Sequence, residues 1–280
     1  MGPYEYVVAD VFTETRFEGN PVAVFLDARD LSTGQMQCIA REMNLSETTF
    51  VLPAKFDGDV RVRIFTRVNE LPFAGHPALG TAVVLAGRHS GDLLRMETGM
   101  GVIPFELDRS GSHAVSARMK QPVPVWAPYE HARDLLTGLG LASSTLPVEE
   151  YRNGPRHVYI GLPDIDALSA VEPDLRTLAR LPDMAANCFA GKGDHWRMRM
   201  FSPAYGVAED AATGSAAGPL AVHLVRHGLI SCSQQIRILQ GVEMGRPSTM
   251  IATVFGSPDQ VDSVEVAGSV VIVAQGTLQI

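Results

Sequence analysis

Glu47 stands where a helical pattern ends and an apolar strand begins, in the segment NLSETTFVL at residues 44–52. A carboxylate in such a place can take up and return a proton, which is the work of a general acid–base group. Glutamate is also common in solvated turns of this composition. The local sequence therefore leaves two interpretations of Glu47 open, a proton-moving group and a surface turn residue.

A second candidate position is the opening of a helix in FAGHPALGTAVVLAG, which begins at Phe73. Gly75 and Pro77 suit a first helical turn, and the free backbone amides of such a turn bind anions, including carboxylates. His76 lies at this opening and can donate a hydrogen bond or carry a proton. The alternative is a histidine that only caps a glycine turn.

A similar helix opens in EDAATGSAAGPLAVHL, which begins at Glu209. Its Thr213, Gly214 and Ser215 supply amides and hydroxyls that can hold a carboxylate. Asp210 can take part in the chemistry. It can also be no more than an acid that the dipole of a nearby helix N-terminus favours.

Hydrophobic patterning predicts the elements that must carry these groups. Three helices are predicted, over about residues 31–44, from near residue 76 to before residue 87, and over residues 214–227. Ser32 and Gln35 have the spacing of a capping box at the first of them. The C-terminal end of the chain is predicted to form two strands, at residues 261–266 and 270–274.

An internal repeat relates the two halves of the chain. The paired segments are NPVAVFL from Asn20 with GPRHVYIGL from Gly154, RVRIFTRV from Arg61 with RMRMFSPA from Arg197, the helix starts at Gly75 and Gly214, and the turns through Gly101 and Gly245. Their position numbers differ by 134, 136, 139 and 144, an ordered increase that small loop insertions explain. The repeat predicts two lobes, residues 1–125 and 126–280. Their glycine-rich helix openings are expected to face a shared cleft, with Glu47, His76 and Asp210 at its rim.

The composition is that of a globular protein and disfavours several partners. Apolar residues make up 46% of the chain and charged residues 19%. No apolar run approaches the roughly 20 residues that span a bilayer, so no membrane partner is expected. The net charge of −8 disfavours binding to nucleic acid.

The cysteines and histidines give no sign of a metal or disulfide framework. Cys38, Cys188 and Cys232 form no CxxC pair, which indicates a reducing cytoplasm, and the first two are expected to be buried small residues. His223 and His227 lie one helical turn apart, but the sequence shows no third ligand near them. We therefore predict that the protein needs no metal and no organic cofactor.

A resemblance to a known family rests on longer segments. They are NPVAVF at 20–25, REMNLSET at 41–48, RIFTRVNELPFAGHPALGTA at 63–82, NGPRHVYIGLP at 153–163 and MFSPAYGVAEDAATGSAAGPLA at 200–221. These segments resemble the PhzF family of phenazine-biosynthesis isomerases, and the resemblance runs from about Tyr6 to the C-terminal strand. It implies an α+β fold of two pseudo-symmetric lobes, each a strand-rich sheet wrapped around a central helix, as in diaminopimelate epimerase.

The resemblance also implies a reaction and its residues. The substrate would be trans-2,3-dihydro-3-hydroxyanthranilate, which loses a proton at its hydroxyl-bearing carbon and gains one at its carboxylate-bearing carbon. The resulting enol then ketonises. The implied proton carrier is Glu47, and a homodimer is implied as well. The implied hydrogen-bonding groups of the catalytic set are His76 and Asp210, and the implied binding groups are Asn20, Gly75, Gly214 and Ser215.

Two other interpretations remain. One is a related isomerase or epimerase of another small carboxylic acid, although the helix openings lack the two cysteines that diaminopimelate epimerase and proline racemase use. The other is a non-catalytic ligand-binding protein that keeps the fold. The joint presence of Glu47, His76 and Asp210 speaks against that second alternative.

Overall fold

The computed structural model describes residues 2–110 and 115–280, and the chain divides into two compact units. The first unit comprises Met1–Lys120 together with Ala267–Ile280, and the second comprises Gln121–Val266. The internal repeat predicts that the whole C-terminus belongs to the second lobe, residues 126–280. The structure instead pairs these last residues with the first strand, where Tyr4 lies opposite Leu278.

The first unit is a sheet with a buried helix. In chain order its elements are β1 (Tyr4–Val11), β2 (Asn20–Phe25), α1 (Thr33–Met43), β3 (Glu47–Leu52), β4 (Val60–Thr66), β5 (Glu70–Leu71), α2 (Gly75–Ala86), β6 (Leu93–Thr98), β7 (Gly101–Asp108) and β8 (Val115–Gln121). Strand β2 runs parallel to β3, and β4 runs antiparallel to β3, so that Glu47 pairs with both Val22 and Thr66.

Helix α2 is buried at every residue, as expected for a sequence that is small or apolar on all sides. Gly80 allows this close packing. A Cβ atom there would lie 2.7 Å from Val11 Cγ2 and 2.8 Å from Val22 Cγ1. The helix therefore lies directly against β1 and β2, and its first turn is held near the start of β3.

The second unit repeats this arrangement around another buried helix. Its elements are β9 (Val125–Pro128), α3 (Ala132–Gly138), β10 (Glu149–Arg152), β11 (Arg156–Gly161), α4 (Ile165–Ser169), α5 (Leu175–Leu178), β12 (Ala185–Lys192), β13 (His195–Ser202), β14 (Val207–Asp210), α6 (Gly214–Arg226), β15 (Ile236–Gln240), β16 (Ser248–Gly256) and β17 (Val261–Leu278), whose last part belongs to the first unit. Strand β11 runs parallel to β12, and β13 runs antiparallel to β12.

Pro219 lies inside α6, and the fold compensates for its missing amide hydrogen. The carbonyl of Ser215, four residues earlier, loses the helical partner that an N–H at this position would supply. Asn153 Nδ2 donates to that carbonyl at 2.9 Å. The proline is therefore tolerated because the side chain of Asn153, in the connection between β10 and β11, replaces the missing donor.

The two units share features at equivalent places in their sequences. Gly75 and Gly214 are each the first residue of a buried helix that follows a short strand. Arg63 and Arg199 each lie over the phenylalanine two residues further on, 5.1 and 5.0 Å from the ring centre. These matches agree with the internal repeat found in the sequence.

The helix predictions are confirmed to within two residues, and α1 has the predicted capping box between Ser32 and Gln35. The prediction of two C-terminal strands is wrong, because β17 is continuous. In the sequence, Gly268 interrupts the run of strand-forming residues and so suggests a break between two strands. In the structure a glycine is needed at this position within β17, because a Cβ atom there would lie 2.2 Å from Phe12 Cδ1. No helix of residues 2–110 and 115–280 has the length and apolar character to cross a membrane.

Candidate active site

The first unit brings three of the candidate residues together beside the start of α2. His76 Nε2 lies 3.4 Å from Glu47 Oε2, and His76 Nδ1 lies 3.3 Å from Asn20 Nδ2. Only 4% of the His76 side chain and 13% of the Glu47 side chain are exposed. This burial contradicts the interpretation of Glu47 as a solvated turn residue, and Gly75 lies in the same first turn as His76.

His76 is uncharged at neutral pH. Burial lowers the pKa of its imidazole from 6.5 to about 3, and a hydrogen bond with the backbone of Pro21 opposes this only in part. The contact between His76 and Glu47 is therefore not an ion pair. A neutral imidazole has one donor and one acceptor nitrogen, which suits hydrogen bonding to a polar substrate.

A pair of buried threonine hydroxyls connects the strand of Glu47 with the helix of His76. Thr81 Oγ1 donates to the carbonyl of Pro77 at 2.7 Å, so its single hydrogen is used there. Thr49 Oγ1 must then donate to Thr81 Oγ1, at 2.8 Å. Because residues two apart in a strand share a face, this chain of hydroxyls holds β3 in register with the first turn of α2.

The second unit brings its own candidates together at the start of α6. Asp210 is 5% exposed, and its Oδ2 accepts a hydrogen bond from Thr213 Oγ1 at 2.7 Å. Gln240, which is fully buried, donates to the Asp210 carbonyl at 2.8 Å and accepts from the Thr213 amide at 3.0 Å. The loop that leads into α6 is therefore fixed from β15, and the direction of the Asp210 carboxylate is fixed by Thr213.

Ser215, on the first turn of α6, contacts a histidine of β11. Ser215 Oγ lies 3.1 Å from His157 Nε2, and the two residues are 4% and 1% exposed. Burial lowers the pKa of His157 from 6.5 to about 3. The carbonyl of the neighbouring Gly214 accepts from Gln121 Nε2 at 2.7 Å, so the backbone of this turn is held on several sides.

The two buried helices begin without a side-chain cap. Ala74 and Thr213 occupy the N-cap positions of α2 and α6, and neither side chain bonds to the first-turn amides. By contrast, α1, α4 and α5 are capped by Ser32, Asp164 and Asp174. The first turns of α2 and α6 thus keep the anion-binding character of an open helix N-terminus.

A third group near His223 and His227 is present, which corrects the prediction that none would be found. Glu149 Oε2 lies 3.2 Å from His223 Nδ1 and 3.1 Å from His227 Nε2. The set nevertheless fits a metal poorly. Arg226 Nη1 donates to the same oxygen at 2.7 Å, and His223 Nε2 has no hydrogen-bond partner among the described residues, whereas a metal-bound histidine normally donates its other N–H. We interpret the cluster as an ion-pair network at the basic C-terminal end of α6.

None of the cysteines lies at the start of α2 or α6. Cys188 is fully buried, and burial raises the pKa of its thiol to about 12, which disfavours the reactive thiolate. The prediction that Cys38 is buried is wrong. Its position on α1 lies outside the buried stripe formed by Met36, Ile39 and Ala40.

Acid should destabilise the fold through His76 and His157. Both histidines have a pKa of 6.5 in the unfolded chain and of about 3 in the folded protein. Between these pH values the unfolded chain binds protons that the folded protein does not bind, so the unfolding free energy falls as the pH is lowered from 6.5 towards 3. When the pH is lowered from about 7.5 to about 5.5, the unfolding free energy should fall by on the order of 1 kcal/mol for each of the two histidines. Urea unfolding at the two pH values measures the loss.

The variant His157→Leu should reduce this acid sensitivity, whereas the control His195→Gln, at an exposed histidine, should leave it unchanged. An equal loss of stability in wild type and His157→Leu would show that His157 is not a buried neutral histidine.

Comparison with known proteins places the chain among isomerases. A family model described as phenazine biosynthesis-like protein, PhzC-PhzF, matches residues 9–276. The chain is 58% identical over 273 residues to the trans-2,3-dihydro-3-hydroxyanthranilate isomerase of Pseudomonas aeruginosa, and the match covers 98% of each chain.

Solved structures agree on the fold. A Pseudomonas aeruginosa protein described as a predicted epimerase has a TM-score of 0.83 and 31% identity, with 99% of each chain covered. A hydroxyproline epimerase of Agrobacterium vitis has a TM-score of 0.69 at 10% identity, with 99% of this chain and 91% of that chain covered. The predicted α+β fold of two pseudo-symmetric lobes is confirmed.

Proposed function

Since this chain belongs to the PhzC-PhzF family of phenazine biosynthesis-like proteins, we propose that it isomerises trans-2,3-dihydro-3-hydroxyanthranilate. The substrate is a cyclohexadiene with an amino group, a hydroxyl and a carboxylate. The reaction moves a hydrogen from the hydroxyl-bearing carbon to the carboxylate-bearing carbon. The enol so formed ketonises to an aminoketone for phenazine biosynthesis.

We assign the proton transfer to Glu47. As a carboxylate it removes the proton from the hydroxyl-bearing carbon, and as a carboxylic acid it returns a proton to the carboxylate-bearing carbon. The observation that carries this assignment is the geometry around it, with a nearly buried carboxyl 3.4 Å from a neutral imidazole. An uncharged His76 neither neutralises the base nor competes for its proton at neutral pH.

The remaining candidate residues bind the substrate and assist the tautomerisation. We assign hydrogen bonds with the hydroxyl and amino groups to His76, Asn20 and Asp210, whose directions are set by buried partners. The open first turns at Gly75 and Gly214, with Ser215, supply donors for a carboxylate.

Incubation of the purified protein with trans-2,3-dihydro-3-hydroxyanthranilate tests the function. We expect the absorbance of the diene to disappear in proportion to enzyme concentration. Persistence of the diene would contradict the proposal. Parallel incubations with L-proline and diaminopimelate, followed by optical rotation, test the alternative of a related epimerase. Turnover of either amino acid without turnover of the diene would favour that alternative.

Turnover should not depend on a metal or an organic cofactor, because every proposed step is a proton transfer that Glu47, His76 and Asp210 can carry or assist. After treatment with EDTA and gel filtration, we expect the rate to stay within about twofold of the untreated rate. Activity that disappears on chelation and returns when one divalent metal is added would contradict this prediction.

The family resemblance further supports a homodimer, and the lack of a CxxC pair among the three cysteines supports a reducing cytoplasm, so we include both in the proposal. The partner of the active protein is then a second copy of the chain, and its ligand is a small molecule. Neither a nucleic acid nor a membrane is part of the proposed activity.

A further inference from the structure

Ser215 and His157 form an isolated hydrogen-bonded pair at the start of α6. His157 Nε2 is the hydrogen-bond partner that Ser215 Oγ has among the described residues. The other ring nitrogen, Nδ1, is buried and has no partner in the part of the chain that the structure describes. The ring stands on β11, a strand inside the second unit, and is 1% exposed, so its position is fixed.

The pair can be bonded in two ways, which differ in what each leaves unsatisfied. If Ser215 donates to Nε2, the ring hydrogen must sit on Nδ1, and a fixed N–H is buried without an acceptor. If Nε2–H donates to Ser215, Nδ1 keeps only a lone pair, and the serine hydroxyl keeps its own rotatable hydrogen. Orphaned buried N–H groups are rarer in proteins than under-satisfied acceptors, which favours the second arrangement.

We propose that His157 is a positioning residue that donates from Nε2 to Ser215 and so turns the serine hydroxyl into a hydrogen-bond donor for an anionic ligand group. Because His157 does not accept the hydroxyl hydrogen of Ser215, this hydrogen can be donated to a ligand. The hydroxyl and the first-turn amides of α6 then all act as donors to the same anionic group. A charge-assisted hydrogen bond to a carboxylate is stronger than one to a neutral oxygen. The inference rests on the proposed function in that the carboxylate of the substrate is the group held here.

The direction of the hydrogen bond can be measured without any turnover. In protein labelled with ¹⁵N-histidine, long-range ¹H–¹⁵N correlation spectra at neutral pH distinguish the two tautomers. We expect His157 to carry its hydrogen on Nε2, with Nδ1 bare. A hydrogen on Nδ1 would overturn the proposal.

Binding of 2-amino-3-hydroxybenzoate, the aromatic counterpart of the substrate, measures the consequence by calorimetry. Its carboxamide is the neutral control ligand. In His157→Leu we expect the carboxylate to bind about tenfold more weakly and the carboxamide to change by less than about threefold. In His157→Gln, whose side-chain amide can donate from a similar place, most of the carboxylate affinity should return.

Thermal unfolding separates this role from a structural one. Loss of the ring removes the unsatisfied Nδ1 but also leaves the buried Ser215 hydroxyl without its partner, so the two effects oppose each other and the melting temperature of His157→Leu should stay close to that of wild type at neutral pH. Weaker carboxylate binding at unchanged stability would support the proposal. Unchanged or tighter carboxylate binding, or equal losses for acid and amide, would overturn it. Failure of the wild type to turn over the diene, with the tautomer and the binding pattern as expected, would overturn only the proposed function.

Discussion

Replacement of Glu47 by glutamine is expected to slow isomerisation at least about a hundredfold, because a positioned acid–base group contributes roughly 10²–10⁴-fold to the rate. Glutamine keeps the size of the side chain and can still contact His76, but it has no oxygen that gains and loses a proton. The first turns of α2 and α6 are untouched, so 2-amino-3-hydroxybenzoate should still bind. Steady-state kinetics beside an analogue titration measure both effects.

Glu42→Gln is the matched control, because Glu42 is an exposed glutamate five residues earlier. This control should keep wild-type turnover. Near-normal turnover of Glu47→Gln would remove Glu47 from the mechanism and leave Asp210 or His76 as the base. Loss of turnover and binding together with a lower melting temperature would make Glu47 a structural residue.

The largest effect on stability is expected for Arg199→Met. The Arg199 side chain is 8% exposed and donates to both oxygens of Glu209 at 2.8 and 3.0 Å. It also donates to the carbonyls of Leu168, Ser169 and Val171, at the end of α4. Loss of one partner of a buried ion pair costs roughly 3–5 kcal/mol, so the unfolding free energy should fall by about that amount.

The internal repeat supplies a matched control for this variant. Arg63 donates to both oxygens of Glu70 at 2.7 and 2.6 Å, but the Glu70 side chain is 38% exposed. Because water can solvate Glu70 after the change, Arg63→Met should cost only about 1 kcal/mol. Urea unfolding of both variants tests the difference. Equal losses would show that the burial of Glu209 and the bonds to the end of α4 add nothing to the stability.

Features that depend on local sequence could be predicted. The capping box of Ser32 and Gln35 and the small residues after Gly75 and Gly214 determine where helices begin from neighbours a few residues away. Strand β12 has the sequence AANCFAGK, without a β-branched residue. Its conformation comes from pairing with β13, the other arm of a tight hairpin, and with β11, which is distant in the sequence.

The candidate site divides in the same way. Glu47 and Asp210 stand at the ends of elements, where the local sequence suggests a role for them, but the local sequence suggests no such role for the groups that orient the site. His157 and Gln240 contact α6 and its leading loop across gaps of 58 and 27 residues, and no spacing in the sequence connects them. Pro219 inside a helix does signal that the carbonyl of Ser215 loses its helical partner, but the sequence does not show that Asn153 supplies the replacement donor.

Isotope labelling tests whether the protein moves a hydrogen of trans-2,3-dihydro-3-hydroxyanthranilate by means of Glu47. Substrate carrying deuterium at the hydroxyl-bearing carbon is followed by diene absorbance and by NMR in the same reaction. We expect the deuterium to leave that carbon as the diene disappears with wild-type enzyme, and at least about a hundredfold more slowly with Glu47→Gln. Deuterium that stays on the hydroxyl-bearing carbon while the diene is consumed would show that the protein does not catalyse this hydrogen shift.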